Sequence, residues 1–170
     1  MPTCYDLPMD NIGFTGSRDG LTEPQGKALR GLLDGFISAH AASTPDSIPQ
    51  FHHGDCVGAD ALSGDAAHEA GYEIHIHPPN IGTLRAYCAN RYPATVYEAL
   101  PYLVRNRNIV DRTDILMAAP NGPETTRSGT WSTVRYARKK SKEIWIVYPD
   151  GSVVKENIRP QEDDSQLTLW

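Results

Sequence analysis

Four groups of residues in this chain combine small residues, hydroxyls and cations in ways that suit an anionic ligand. The first is Arg127-Ser128-Gly129-Thr130-Trp131-Ser132-Thr133. Its Gly-Thr turn follows a strand-like run, Asp114 to Pro120, and opens a basic helix. Such a turn aims backbone N–H groups and hydroxyls at a phosphate, and the helix dipole adds to the attraction. The second is His53-Gly54-Asp55-Cys56-Val57-Gly58-Ala59-Asp60, again between a strand and a helix. Gly54 and Gly58 allow close approach, while Asp60 can accept from a ribose hydroxyl or a base. Asp55 and Asp60 serve equally well as helix caps, and the two readings weigh evenly. Two phosphate-type loops of this design suggest one nucleotide-shaped site.

The third group is Gly13-Phe14-Thr15-Gly16-Ser17-Arg18, a strand ending in a turn whose arginine can grip a phosphate with a bidentate fork. Taken alone it reads as a tight turn with a solvated arginine. The fourth is Arg105-Asn-Arg107-Asn-Ile-Val-Asp111-Arg112, where the i+3 and i+7 spacings put Arg105 on one face with Asn108 or Arg112. A solvated polar face is the default for such a helix. Its position favours more, because it feeds the strand that leads to the Gly-Thr turn.

Other chemistries are not written in this sequence. There is no Gly-Lys-Ser/Thr and no GxGxxG, so neither a P-loop nor a dinucleotide fingerprint is present. No nucleophile elbow, Ser-His-Asp set or paired catalytic carboxylate is evident. His52-His53 and His75-x-His77 lie in strand-like runs without a cysteine or carboxylate at ligand spacing, so no metal site and no cofactor are expected. Trp131 and Tyr136 can stack on a base, although aromatic residues in a helix more often serve the core.

The elements that must position these groups alternate. Asn11 to Thr15 reads as a strand. Thr22 caps a helix with Pro24 in its first turn, running to about His40 and burying Leu29, Leu32, Leu33, Phe36 and Ile37. Gln50 to His53 is a second strand, Ala59 to Ala70 a helix with Gly71 as its cap, and Tyr72 to His77 a third strand. Asn80 to Leu100 is the least legible segment, read as a loop with a short helix. Pro101 to Arg112 is a helix, Ile115 to Ala119 a strand, and Glu143 to Tyr148 a strand after the Gly129 helix. The expectation is an α/β fold, a Rossmann-like three-layer sandwich with a mainly parallel sheet of about five or more strands. Ligands of such sheets sit beyond the carboxyl ends of the strands, where all these loops gather.

At 170 residues, residues 1–150 are expected to form a single domain and residues 151–170 a polar acidic tail. Net charge −5 argues against broad nucleic-acid binding, while the basic run Arg135 to Lys142 keeps a small anionic ligand plausible. Cys4, Cys56 and Cys88 are widely spaced and odd in number, which suits free thiols in a cytoplasmic setting. No apolar run approaches a membrane span and no signal peptide is evident.

With these residues in hand, the chain resembles the SLOG superfamily, the Rossmann-like group of the DNA-processing protein Smf/DprA and the Lonely Guy phosphoribohydrolases. It looks most like the small YspA-type branch of bacteria and phages. The resemblance covers roughly Asn11 to Tyr148 and rests on Gly16-Ser17-Arg18, His53 through Asp60, Arg105 through Asp114, and Ser128-Gly129-Thr130. It implies binding of a nucleotide or nucleotide-derived signal through Gly16, Ser17, Arg18, Gly54, Asp55, Val57, Gly58, Asp60, Arg105, Ser128, Gly129, Thr130 and Thr133. It also implies a homodimer and, for a phage protein, sequestration of a host defence signal. Lonely Guy enzymes cleave the N-glycosidic bond of nucleoside 5′-monophosphates with an arginine, matched by Arg105, and a glutamate three residues after the Gly-Thr. Here that position is Thr133, and a threonine supplies neither the negative charge nor the base the reaction needs. Glu124, in the preceding loop, substitutes only if that loop folds back over the site. N-glycosidase activity through Arg105 and Glu124 or Asp60 is therefore the rival expectation, with a DNA-processing accessory role a weaker third.

The last five residues, Gln166-Leu167-Thr168-Leu169-Trp170, look like the peptide by which bacterial proteins dock on the replicative sliding clamp. The plainer expectation is a terminal strand that docks on its own domain.

Overall fold

A computed structural model of the protein describes residues 11–157. Its strands are β1 (Asn11–Gly16), β2 (Gln50–His53), β3 (Glu73–Ile76), β4 (Thr95–Val96), β5 (Ile115–Ala119), β6 (Glu143–Val147) and β7 (Val153–Glu156). Its helices are α1 (Glu23–Ser43), α2 (Ala59–Ala70), α3 (Tyr102–Asp111) and α4 (Gly129–Lys139). The strands form one seven-stranded sheet in the order β4-β3-β2-β1-β5-β6-β7, parallel throughout except for β7, which pairs antiparallel with β6. This is the three-layer α/β fold expected from the alternating patterning. The two strands that the patterning did not reveal are short edges. β4 lies inside the illegible Asn80 to Leu100 segment, which holds two single 3₁₀ turns (82–84 and 88–90) and no α-helix. β7 lies in the stretch expected to be tail.

Local chemistry accounts for the elements. Thr22 and Gln25 form a reciprocal capping box, with each side chain bonded to the other's backbone N–H, and Pro24 lies in the first turn of α1. The helix continues to Ser43, one turn past the expected end. Gly71 closes α2 in the left-handed conformation, and Ser128 caps α4 by accepting from the Trp131 N–H. Along β5 the side chains alternate between the two helical layers. Met117 and Ala119 belong to a core with Leu29 and Leu33 of α1, and Leu116 and Ala118 to one with Trp131 and Val134 of α4. The α1 residues Leu32, Phe36 and Ile37 are only partly buried, at the margin of the first core. Gln25 is buried and its amide donates to the carbonyls of Pro120 (2.9 Å) and Val147 (2.8 Å), which ties the ends of β5 and β6 to α1.

α1 and α2 cover one face of the sheet, and α3 and α4 pack on the other over β1, β5 and β6. Beyond α3, the second face of β2 to β4 carries polar residues brought together by alternation and register: Gln50, His52, Glu73, His75, Thr95 and, continuing the strands, His77 and Tyr97. The imidazoles of His52, His75 and His77 stack with centroids 4.5 and 5.2 Å apart, and Tyr97 stacks on His77 at 4.3 Å.

The sheet order places the topological switch at β1. The chain leaves β1 toward β2 on one side and returns to it as β5 on the other. In parallel sheets the crevice for a ligand opens at that point, beyond the carboxyl ends of the strands.

Candidate functional site

The crevice at the carboxyl ends of β1 and β5 holds a cavity of about 710 Å³. The β1 turn contributes Gly16, Ser17, Arg18 and Asp19 to its wall, the loop before α4 contributes Asn121 and residues 125–128, and α4 contributes Gly129, Thr130 and Ser132. Tyr102 and Leu103, at the start of α3, close it from the side. Asn121 bridges the two loops by donating to Asp19 at 3.1 Å. Two guanidinium groups, Arg18 and Arg127, therefore face the same space as the first turn of a helix. That combination suits a phosphate: helix N–H groups point outward, the dipole favours negative charge, and arginine forks match oxyanion geometry.

Of the residues singled out by sequence, Gly16, Ser17, Arg18, Ser128, Gly129 and Thr130 meet around this cavity. The β2–α2 loop does not present its N–H groups to it. The Asp55 N–H donates to His53 Nδ1 (3.0 Å), that of Cys56 to Asp60 (3.2 Å), that of Val57 to the Leu84 carbonyl (3.0 Å) and that of Ala59 to the Ser17 carbonyl (2.9 Å). Asp55 is fully buried. It accepts from Arg85 (2.8 Å) and the Cys88 N–H (2.9 Å), which pins down the two 3₁₀ turns. Val57 turns its side chain to solvent. Gly58 caps α2.

Arg105 is 2% exposed and is not in the wall of the large cavity; with Gly16, Arg18, Gly54, Asp60 and Tyr102 it lines a small cavity beside it. Its guanidinium donates to the carbonyls of Gly54 and His77 and to Cys56 Sγ, and its Nη1 lies 3.9 Å from the Asp60 carboxylate. Gly54 is required here, because a Cβ at that position would overlap the Arg105 guanidinium. The Tyr102 ring has two cations over it, Arg18 at 5.2 Å and Arg105 at 4.9 Å from its centroid. Gly129 leaves room for its hydroxyl, which a Cβ would strike. Burial raises the Asp60 carboxyl to a pKa of about 6, against the opposing pull of Arg105. Asp60 thus accepts from the loop's own backbone at Cys56, whereas the N-cap of α2 is Gly58 and no side chain caps that helix.

Thr133 is buried, and its hydroxyl donates to the Gly129 carbonyl at 3.0 Å. Glu124 does not fold back over the cavity. It accepts from Arg138 (2.9 Å) and Arg135 (3.4 Å) of α4, and these bonds hold its pKa below the usual carboxylate value. The pairing of Arg105 with Glu124 as catalytic groups therefore finds no geometry here: Arg105 is bonded to Gly54, His77 and Cys56, and Glu124 is held by Arg138 and Arg135.

Sequence reasoning missed Tyr102, Asn121 and Asp19 as wall residues, and named Arg127 in the first group without giving it a role of its own. A signal existed for Asp19, which is adjacent to Arg18. Tyr102 carried none, because its place depends on how α3 crosses the sheet. Among the described residues no cluster of histidine, cysteine, aspartate or glutamate is arranged to hold a metal ion. No helix among them is long and apolar enough to cross a membrane.

No family model and no curated protein matches the chain. Solved structures do. An X-ray structure of the protein TM1055 matches with TM-score 0.51 and 17% identity, covering 80% of this chain and 72% of that one. DNA processing protein A (DprA) from Streptococcus pneumoniae matches with TM-score 0.60 and 16% identity, over 81% of this chain. The matched region spans only 50% of the DprA chain. The fold class is therefore that of these Rossmann-like proteins.

Proposed function

We propose that this protein binds a nucleotide or nucleotide-derived signal in the crevice between β1 and β5. The observation that carries it is the meeting of Arg18, Arg127 and the first turn of α4 around one cavity at the switch point of a parallel sheet. In this reading the phosphate lies against Ser128, Gly129 and Thr130 with Arg18 and Arg127 as its counter-ions, and Tyr102 offers an aromatic edge beside them. The resemblance to the SLOG group supports it: two of the four segments that carry it, Gly16-Ser17-Arg18 and Ser128-Gly129-Thr130, line the cavity, and DprA, one of the proteins that define the resemblance, shares the fold. Within that group the YspA-type branch, a homodimer and a cytoplasmic location remain parts of the proposal.

Binding without turnover is favoured over N-glycosidic cleavage, because Thr133 bonds to its own helix and Glu124 is held by Arg138. The sliding-clamp motif Gln166–Trp170 lies outside the described residues and stays a separate proposal. Mass spectrometry of small molecules released on denaturing the purified protein, followed by incubation with a panel of nucleoside monophosphates, tests the reading. A phosphorylated nucleoside is expected in the first and intact nucleotide in the second. Release of free base that disappears in Arg105→Ala would replace it with the hydrolase.

A further inference from the structure

α3 and α4 lie side by side on the sheet, and their registers create a second concavity outside the crevice. On α3 the residues Leu103, Asn106 and Arg107 follow i, i+3, i+4 spacing. On α4 Ser132, Arg135, Tyr136 and Lys139 follow i, i+3, i+4, i+7. These side chains, with Thr133, line a groove of about 250 Å³. It shares Leu103 and Ser132 with the main cavity, so the two spaces are neighbours across one wall.

Two features make this groove more than a gap between helices. The first is charge. Arg107, Arg135 and Lys139 converge on it with no carboxylate in its wall. Arg135 is tied to the Glu124 loop by Glu124 (3.4 Å) and the Thr125 carbonyl (3.1 Å), but among the described residues no carboxylate pairs with Arg107 or Lys139. The second is an orphan donor. Asn106 is 7% exposed, contributes both to the groove wall and to the small cavity beside Arg105, and its Nδ2 has no hydrogen-bond partner. An unpaired buried amide is costly, and such groups are normally satisfied by protein, water or a ligand. Beside three cations, the acceptor that fits is an oxyanion.

We propose that the groove between α3 and α4 is a second phosphate subsite, with Asn106 Nδ2, Arg107 and Lys139 as its donors. The phosphate is either a free ion or the distal group of the molecule held in the crevice. The latter case rests on the nucleotide-binding reading above and makes the ligand a nucleotide with a second phosphate remote from the first.

The test is a titration of the isotopically labelled full chain followed by amide NMR, with inorganic phosphate, adenosine 5′-monophosphate and adenosine 3′,5′-bisphosphate as probes. Saturable shifts of the Asn106 side-chain amide and of backbone amides along Ser132–Lys139 are expected with inorganic phosphate. In the double variant R107A/K139A, two exposed positions whose loss leaves the fold intact, the apparent Kd should rise at least about tenfold. If the bisphosphate binds about tenfold tighter than the monophosphate and the variant removes that gain, one molecule fills both spaces. If the gain is absent while the inorganic phosphate shifts persist, the groove serves a free anion. Absence of groove shifts with every probe, or shifts indifferent to R107A/K139A, overturns the proposal. Shifts of Gly129 and Thr130 report the crevice separately, so failure of the main site and failure of the groove are distinguishable.

Discussion

The β2–α2 loop and the β5–α4 loop lie at the same edge of the sheet, and both join a strand to a helix through glycines, yet they are built in opposite senses. The β2–α2 loop is directed inward. Four of its N–H groups are spent on His53, Asp60, Leu84 and Ser17, and its Gly54 carbonyl is the anchor of a buried arginine. The β5–α4 loop is directed outward, and the start of α4 opens onto the large cavity with Arg18 and Arg127 beside it. A glycine-rich turn before a helix is therefore not by itself a phosphate grip. What decides is whether the fold has already claimed its donors. The first loop is a frame that fixes the crevice, and the second is the surface that meets the ligand.

This contrast breaks most visibly at Arg105. Arg105→Ala leaves the carbonyls of Gly54 and His77 and the Asp60 carboxylate without their cation, and should cost about 3–5 kcal/mol in chemical denaturation. A loss confined to ligand affinity, with stability unchanged, would move Arg105 from frame to binding site.

Acid should strain the same half of the molecule. Burial depresses the pKa of His52 and of His77 to about 3, from an ordinary 6.5, with mutual repulsion and Arg112 adding to the effect. Groups depressed in this way stabilise the fold fully above pH 6.5 and lose that contribution as the pH falls toward their folded values. Asp60 acts in reverse. Raised to about 6, its contribution is complete below its ordinary 3.8 and fades as the pH rises through 6. Burial also depresses His53 to about 4, so three rings outweigh one carboxyl, and lowering the pH from 7 to about 5 should remove on the order of 3–4 kcal/mol of stability. His77→Gln should flatten the profile of urea midpoints against pH, and an unchanged slope would exclude the histidine stack as its source.

Gly54→Ala sharpens the point, because the added methyl meets the Arg105 guanidinium at the heart of the frame. A destabilisation of about 2 kcal/mol is expected in the same assay. Ser128→Ala, in the outward loop, should cost only about 1 kcal/mol by loss of the α4 cap, with a parallel weakening of ligand binding.

The sequence carried the alternation of strands and helices, the Thr22 cap of α1, the Gly71 cap and two of the segments that meet at the crevice. These are local signals, in which hydrophobic period and cap chemistry suffice. The short edges β4 and β7 escaped because two to four residues hold no readable period. The inward sense of the β2–α2 loop escaped for a different reason. The partners that claim its N–H groups include Leu84 and Ser17, and the arginine that occupies its interior arrives from α3, 51 residues later in the chain. Loop composition records the capacity to bind an anion, whereas tertiary contacts decide whether that capacity is spent.

The most direct test of the outward loop as ligand surface is isothermal titration of adenosine, guanosine, cytidine and uridine 5′-monophosphates into the wild-type chain, Arg18→Ala and Val57→Ala. Saturable binding of at least one nucleotide is expected. It should weaken about tenfold or more in Arg18→Ala, the loss of one charge-assisted contact, and remain unchanged in Val57→Ala. Binding that survives Arg18→Ala and falls with Val57→Ala would place the phosphate on the loop after β2 and contradict the account.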